Sequence, residues 1–334
     1  MKARISAIEY VLPEKIYTNE DFFSEFPGAK AETLLKTGVR KRHIAGKDEI
    51  SSDLAFRAAE KLITENNIDR SAIDFLLFNS ADIDYYTPAT ACVLQGRLGL
   101  KNSCGAMDIL NGCSGYVYSL GIATGIMESM GAKNILLLNS STLTRFIHPR
   151  DRANRFLFGD AAAASLITFS ETGAIGPFVY GTDGKSFEKI IIRHGFARHP
   201  VTQESLTDRE DEYGNVTNDA SFYMDGVGIF LFSVRTVPPM INELLQKAGQ
   251  TMDDVDLFVF HQPNAFLNEM LRKKLNIPEE KFVHCMADFG NTVQSTIPIA
   301  LKEMQKQGRL REGMNVVMTG FGTGLSWAAT LARF

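Results

Sequence analysis

Ile73-Asp74-Phe75-Leu76-Leu77-Phe78-Asn79 and Val255-Asp256-Leu257-Phe258-Val259-Phe260-His261 are two renderings of one pattern, a β-branched residue and an aspartate followed by an unbroken apolar run. Runs of this length, apolar at consecutive positions, describe strands covered on both faces, as in sheets sandwiched between helices. Each run follows a helix-like segment, residues 54–66 in the first case and 240–248 in the second. The correspondence continues downstream. Leu94-Gln95-Gly96-Arg97-Leu98 matches Leu271-Arg272-Lys273-Lys274-Leu275, and Asn134-Ile135-Leu136-Leu137-Leu138 matches Asn315-Val316-Val317-Met318-Thr319, always roughly 180 residues apart. A repeat this long means that one structural unit occurs twice, with the order helix, strand, helix, short strand, helix, strand.

Two such alternating units predict an α/β protein with two sheets about a pseudo-twofold axis, divided into halves 1–172 and 173–334. The third helix of each unit is distinctive. One begins near Cys113 and carries no charge before Glu128; the other begins near Asn291 and carries none before Lys302. A surface helix shows a polar face, and these do not. Gly115, Ser119, Gly121, Ala123 and Gly125 permit close backbone approach, so the two helices are expected side by side at the centre, with a sheet on each side. Residues 1–13 read as a first strand, and residues 158–169 and 176–192 as further strands. The polar, acidic stretch 202–221 shows no apolar periodicity and reads as an excursion or a cap. Pro238-Pro239 is expected to break or kink any helix that contains it.

A length of 334 residues is ample for such a body. With 45% hydrophobic and 22% charged residues and a net charge of -4, the composition argues against disorder and gives no support for a nucleic-acid binder. Cys92, Cys104, Cys113 and Cys285 form neither a disulfide framework nor a C-x-x-C metal site, which points to a reducing, cytoplasmic compartment. Residues 109–127 are uncharged over nearly the length of a membrane span. Their four glycines, with Asn111, Ser114, Ser119 and Thr124, indicate burial in protein instead, and no membrane role is expected.

The repeat brings three reactive residue types to corresponding ends of the two units: Cys113 and Asn291 where the uncharged helices begin, and His261 directly after an apolar strand. Ligands of α/β proteins gather at such ends. A thiol at a helix N-terminus is expected to have a lowered pKa and to act as a nucleophile. Taken singly, Cys113 could also be a small core residue, His261 a core histidine, and Asn291 a turn residue or helix cap.

Together the motifs say more. Asn111-Gly112-Cys113-Ser114-Gly115-Tyr116, His261-Gln262-Pro263-Asn264 and Gly290-Asn291-Thr292 resemble the Cys, His and Asn motifs of the β-ketoacyl-acyl-carrier-protein synthase III family in the thiolase superfamily. Supporting matches are Thr37-Gly38-Val39-Arg40-Lys41-Arg42-His43-Ile44, Phe158-Gly159-Asp160-Ala161, Gly322-Thr323-Gly324-Leu325-Ser326-Trp327 and the terminal Arg333-Phe334.

The resemblance implies the thiolase-like, duplicated five-layer αβαβα fold. It also implies a reaction in which an acyl group passes from coenzyme A to Cys113 and is then condensed with a decarboxylating malonyl thioester. Cys113 would be the nucleophile, and its N–H with that of Thr323 the oxyanion hole. His261 and Asn291 would stabilise the enolate, Phe321 would gate the cysteine, and Arg152 and Asn264 would contact substrate. No permanently bound cofactor and no metal are implied; the remaining histidines (His43, His148, His194, His199, His284) show no ligand spacing. Implied partners are acyl-CoA, acyl-carrier protein and a second copy of the chain.

Several positions depart from the family pattern. Glu32 stands where a tryptophan usually stacks on adenine, and Leu231 and Phe266 replace basic residues at the carrier-protein face, where Lys273 and Lys274 remain as a basic pair. Thr87 stands where a bulky aromatic often delimits the acyl pocket at the dimer interface. Alternative readings are an acyltransferase passing the acyl group to a non-malonyl acceptor, and a catalytically silent subunit. A hydroxymethylglutaryl-CoA synthase is disfavoured because residues 79–90 lack a glutamate. A thiolase is disfavoured because Cys285 lies outside the C-terminal glycine turn.

Overall fold

The structure is a computed structural model and describes residues 2–171 and 174–334. The expected boundary between the halves, Thr172/Gly173, falls outside the described residues.

Asp74 and Asp256 explain why the two quoted runs begin alike. Asp74 Oδ2 accepts the backbone N–H of Asn134 at 3.1 Å, and the Asp74 N–H donates to Asn134 O at 2.9 Å. Asp256 Oδ2 accepts the Asn315 N–H at 2.7 Å, and its own N–H donates to Asn315 O at 2.9 Å. Each aspartate thus pins the entry of its strand to the neighbouring strand, and the parallel register that follows is the same: Phe75 opposite Ile135, and Leu257 opposite Val316.

The first sheet has five strands in the order Lys2–Val11, Ala161–Ser170, Asn134–Ser141, Phe75–Asn79, Gly105–Ile109. The second has four, in the order Leu257–Phe260, Asn315–Gly322, Ser326–Arg333, Ala174–Thr182. Between them lie the helices Gly115–Met130 and Thr296–Lys306. Tyr116, Leu120 and Ala123 from one and Ile297, Ala300 and Leu301 from the other share one core with Leu77, Ile135, Val316 and Met318 of the two sheets. The outer face of the first sheet is covered by Ser51–Glu65 and Thr90–Arg97, that of the second by Gly226–Ala248 and Ala265–Lys274. This is the five-layer, thiolase-like α/β arrangement expected. Among the described residues, no helix is long and apolar enough to cross a membrane.

Three local expectations are corrected. The short strand of the second unit shrinks to a single parallel bridge, Phe258 to Phe282. The cause is Gln262, whose Nε2 donates to Phe260 O at 2.7 Å and to Val283 O at 3.1 Å, while its Oε1 accepts the Cys285 N–H at 2.8 Å. The side chain takes hydrogen bonds that a longer ladder would use. Secondly, the Pro238-Pro239 pair does not end its helix, which runs from Gly226 to Ala248. Proline at 238 strips the helical donor from Val234 O, and Lys274 Nζ supplies one at 3.0 Å. Thirdly, Asn291 is not at a helix start: a 3₁₀ turn, Val293–Ser295, separates it from Thr296–Lys306.

The acidic stretch forms turns and a two-stranded ribbon, Arg209–Glu210 with Val216–Thr217. It caps the loop around residue 150 through Arg150–Asp208 at 2.8 Å and the Val216 N–H to Arg150 O at 3.3 Å.

Candidate active site

Cys113 lies two residues before the helix Gly115–Met130, in a tight turn closed by the Gly115 N–H to Gly112 O at 2.8 Å. The strand Asn315–Gly322 ends directly against it. A Cβ at Gly322 would lie 2.8 Å from both Cβ and Sγ of Cys113, and φ at Gly322 is +152°, so this close approach requires glycine. The following turn delivers Thr323 to the wall of the same cavity as Cys113, packed against Gly112, where a Cβ would lie 3.0 Å from Thr323 Oγ1. The turn is itself held by Ser326, whose hydroxyl donates to Thr323 O at 2.6 Å and lies 2.7 Å from Ser114 Oγ.

The expectation of a lowered cysteine pKa is not met. Burial pushes the Cys113 thiol up, and the hydrogen bonds from Thr323 and its own N–H only partly oppose this. The helix N-terminus lies beside the sulfur, but so does an apolar wall of Leu143, Phe158, Val293 and Phe321, and desolvation of the thiolate is the larger effect.

His261 follows its strand without a break: its N–H donates to Thr319 O at 2.7 Å, continuing the ladder with Asn315–Gly322. The ring is buried and meets Phe321 edge-on at 5.8 Å. Burial lowers its pKa to about 3, so the imidazole is neutral at physiological pH. Its Nδ1 lies 2.8 Å from Thr296 Oγ1, which also lies 2.9 Å from Val293 O.

Asn291 is anchored by the other half of the chain. Its N–H donates to Leu157 O at 2.9 Å and its O accepts the Gly159 N–H at 3.1 Å, which gives the Phe158-Gly159-Asp160 segment a structural task. The Asn291 Oδ1 accepts the Val293 N–H at 2.9 Å, and this leaves the amide NH₂ as the group offered to the cavity. Val293 makes that bond from a left-handed conformation, φ +54°, which is costly for a β-branched residue. The turn is fastened to the first sheet by Ser295 Oγ to Asn139 O at 3.0 Å and by Gln294 Nε2 to Ser140 O.

Cys113, His261, Asn291, Phe321 and Thr323 all line one cavity of about 260 Å³. Its remaining walls are mostly apolar and include Ile190, Ile192 and Phe222 from the two-stranded ribbon of Ile190–Ile192 with Phe222–Met224. Asn264 lines an adjoining outer cavity, and its Oδ1 caps the helix Ala265–Lys274 by accepting the Leu267 N–H at 2.8 Å.

Other expected site residues are not brought together in this way. Arg152 lines none of the described cavities, and its guanidinium lies 5.9 Å from the ring centroid of Phe26. Thr87 is exposed and lines no described cavity of its own chain. Lys273 pairs with Glu269 at 3.3 Å, and Lys274 is the partner of Val234 O. Leu231 and Phe266 are exposed, with Phe230 stacked on Phe266 at 5.7 Å. Cys285 lines none of these cavities, and burial raises its pKa to about 12. Sequence reasoning gave no role to Thr296, Val293 and Gln262; the Gln262 position beside His261 was the one available signal. Among the described residues, no group of three or more His, Cys, Asp or Glu side chains could hold a metal.

Comparison with known proteins bears on the same elements. Residues 107–184 match the family description "3-Oxoacyl-[acyl-carrier-protein (ACP)] synthase III", and residues 245–334 match its C-terminal counterpart. A β-ketoacyl-[acyl-carrier-protein] synthase III of Fusobacterium nucleatum is 31% identical over 99% of this chain and 98% of its own. A crystal structure of a 3-oxoacyl-(acyl-carrier-protein) synthase III superposes with a TM-score of 0.98 at 41% identity over the full length of both chains. The synthase III of Thermus thermophilus does so with a TM-score of 0.87 at 32% identity, covering 99% of this chain and 98% of that one. With a buried cysteine, a neutral histidine and an asparagine around one apolar cavity, the chain belongs to the 3-oxoacyl-[acyl-carrier-protein] synthase III family of decarboxylating, acyl-transferring condensing enzymes.

Proposed function

We propose that this condensing enzyme works through Cys113, His261 and Asn291, with acyl-CoA as donor and a malonyl-carrier-protein thioester as acceptor. The observation that carries the assignment is the convergence of the three side chains on one apolar cavity, two of them supplied by the second half of the chain and one by the first. Of the halves 1–172 and 173–334, the first thereby supplies the nucleophile and the second the enolate-stabilising pair together with the Thr323 N–H.

In the first step the Cys113 sulfur attacks the acyl thioester carbonyl. The negative charge that develops on its oxygen is met by the N–H groups of Cys113 and Thr323, and the departing coenzyme A thiolate takes up a proton. In the second step the malonyl thioester loses CO2, and the electron pair of the broken C–C bond moves into an enolate. His261 and the Asn291 NH₂ group donate hydrogen bonds to its oxygen. The enolate carbon then attacks the acyl carbonyl, and the C–S bond to Cys113 breaks; the sulfur leaves with the electron pair and takes up a proton from solvent, replacing the one that went to the coenzyme A thiolate in the first step and regenerating the thiol. A neutral imidazole suits a donor that must not protonate the nascent carbanion, and Phe321 packs against it at the cavity wall.

We assign Arg152 and Asn264 to the nucleotide and pantetheine ends of the donor. The carrier protein is assigned to the exposed end of Ala265–Lys274, where Lys273 and Lys274 lie. The working form is assigned to a cytoplasmic homodimer. Among the described residues the strand Gly105–Ile109 is paired on one edge only, and it carries exposed Met107 and is followed by exposed Leu110, a surface that an isolated chain leaves open to association. In such a dimer Thr87 faces the partner's acyl cavity.

Intact-mass measurement after incubation with an acyl-CoA tests the reading. One acyl adduct is expected in the native protein and none in Cys113→Ala. Asn291→Ala should retain the adduct while losing CO2 release and β-ketoacyl product on addition of malonyl carrier protein. An adduct in Cys113→Ala, or wild-type condensation in Asn291→Ala, overturns the assignment.

A further inference from the structure

Asn79 and Asn139 stand opposite each other on the parallel strands Phe75–Asn79 and Asn134–Ser141. Both are fully buried, and neither lines the catalytic cavity. Buried side-chain amides are costly unless their donors and acceptors are met, so the groups they meet indicate their task. The Asn79 amide has three polar neighbours, each at 3.0 Å: Ile109 O, Asn111 O and the Asn139 amide. Two of these are carbonyls, which only accept. The Asn79 NH₂ group is therefore directed at Ile109 O and Asn111 O, and its oxygen accepts from the Asn139 NH₂ group.

Asn111 lies just before the Gly112-Cys113 turn and Gly115 just after it, and a Cβ at Gly115 would overlap the Asn79 amide. Asn79 thus grips the cysteine turn on both sides, by a hydrogen bond to Asn111 and by packing on Gly115. The turn that follows Asn291 is fastened to the same strand end in another way. Ser295 Oγ donates to Asn139 O at 3.0 Å and Gln294 Nε2 donates to Ser140 O. Those acceptors are backbone carbonyls, which remain when the side chains at 79 and 139 are removed. Asn79 and Asn139 are already without exposed surface in the single chain, so a partner subunit has nothing of them left to cover.

We propose that Asn79, oriented by Asn139, is a positioning residue for acyl transfer: it fixes the 111–115 turn, and with it the direction of the Cys113 N–H and sulfur, while His261 and Asn291 are held independently. The inference rests on the assignment of Cys113 as acyl acceptor and of its N–H as an oxyanion donor. Such a donor works only when its supporting groups hold it to within about 0.5 Å of the productive geometry, and a displacement of about 1 Å costs on the order of 10²-fold in rate. Loss of the Asn79 side chain frees the turn without removing any group that contacts substrate.

The test compares the full-length native protein with Asn79→Ala, Asn139→Ala, the double variant and Leu76→Ala. Leu76 is buried on the outer face of the same strand, so its truncation loosens the strand without touching the amides. Acylation of Cys113 by acetyl-CoA is followed by intact mass as a rate constant, which does not depend on the fraction folded. Asn79→Ala should lower the saturating rate constant about 10- to 100-fold and leave the half-saturating acetyl-CoA concentration within about threefold. Asn139→Ala should lower it at least about threefold, and the double variant should be no slower than Asn79→Ala, because Asn139 acts through Asn79. Fully acylated protein is then given malonyl carrier protein. The native enzyme should release one CO2 per β-ketoacyl product; Asn79→Ala should release CO2 in excess, because the enolate still forms and takes a proton from solvent before the misaligned acyl carbonyl is attacked. A saturating rate within about twofold of native in Asn79→Ala, a loss matched by Leu76→Ala, or CO2 release that falls in step with product overturns the positioning role and leaves the Cys113 assignment standing. If Asn79→Ala does not fold, Asn139→Ala decides, and a native rate there overturns the role. No adduct in the native protein, or an adduct that survives Cys113→Ala, overturns the Cys113 assignment and the positioning role with it.

Discussion

Thr296→Val tests the electronic state of the site without touching a group that contacts substrate. The Thr296 hydroxyl has one proton and two neighbours, His261 Nδ1 at 2.8 Å and Val293 O at 2.9 Å. If the proton goes to Nδ1, the imidazole carries its own hydrogen on Nε2 and can donate to the thioester oxygen; if it goes to Val293 O, Nδ1 must be protonated and Nε2 has only a lone pair to offer. The proposed enolate stabilisation requires the first state. Valine has nearly the same shape but no donor, so Nδ1 would be protonated toward the Val293 carbonyl and the Nε2 hydrogen lost. Loss of one such donor is worth about 2.7 to 4 kcal/mol at the transition state, a fall of roughly 10² to 10³ in condensation. Stability should drop by only about 0.5 to 1.5 kcal/mol, the net value of a buried hydrogen bond. The assay compares acylation of Cys113 from acyl-CoA with CO2 release from malonyl carrier protein in native enzyme, Thr296→Val and Thr296→Ser. Acylation should be spared, condensation lost in the valine variant and largely restored in the serine variant. Native condensation in Thr296→Val would refute the claim that His261 acts as a donor through Nε2.

Three further outcomes are expected. Gly322→Ala places a Cβ 2.8 Å from Cys113 Sγ at φ +152°; it should cost about 1 to 3 kcal/mol in a urea melt and slow acylation on the order of 10²-fold, so a native acylation rate would contradict the close packing described. Because burial holds the Cys113 thiol above its ordinary value, acylation measured against pH should still be rising at pH 8 rather than levelling off, as it would for a thiol with a lowered pKa. His261 has a pKa of about 3 in the folded chain against 6.5 unfolded. As pH falls through that window the unfolded chain takes up a proton that the buried ring refuses. Stability should therefore decline by about 1.4 kcal/mol per pH unit below 6.5, with no such loss above it. Urea midpoints against pH for native protein and His261→Asn isolate this contribution, and parallel curves would count against it.

The duplication was legible because burial on both faces leaves a local mark, an unbroken apolar run, and because Asp74 and Asp256 both open their strands by pinning a neighbour. The uncharged central helices were legible for the same reason. The Pro238-Pro239 helix was not, since the donor that replaces the missing proline N–H at Val234 O comes from Lys274, forty residues away in sequence. The acidity of Cys113 was misjudged because a helix terminus is a local feature, whereas the apolar wall around the sulfur comes from distant segments.

From its sequence alone this chain declared a twice-built α/β body and three residue types whose motifs resemble one family. Those are properties of neighbours along the chain, where periodicity and spacing are written. Only the folded chain decided that Gly322 brings Thr323 beside Cys113, that Thr296 stands between His261 and Val293, and that Asn291 is held against the Leu157–Gly159 segment. Each of these joins residues far apart in sequence. Desolvation, hydrogen-bond partnership and cavity shape depend on everything that surrounds a group, which no stretch of sequence specifies before the layers close.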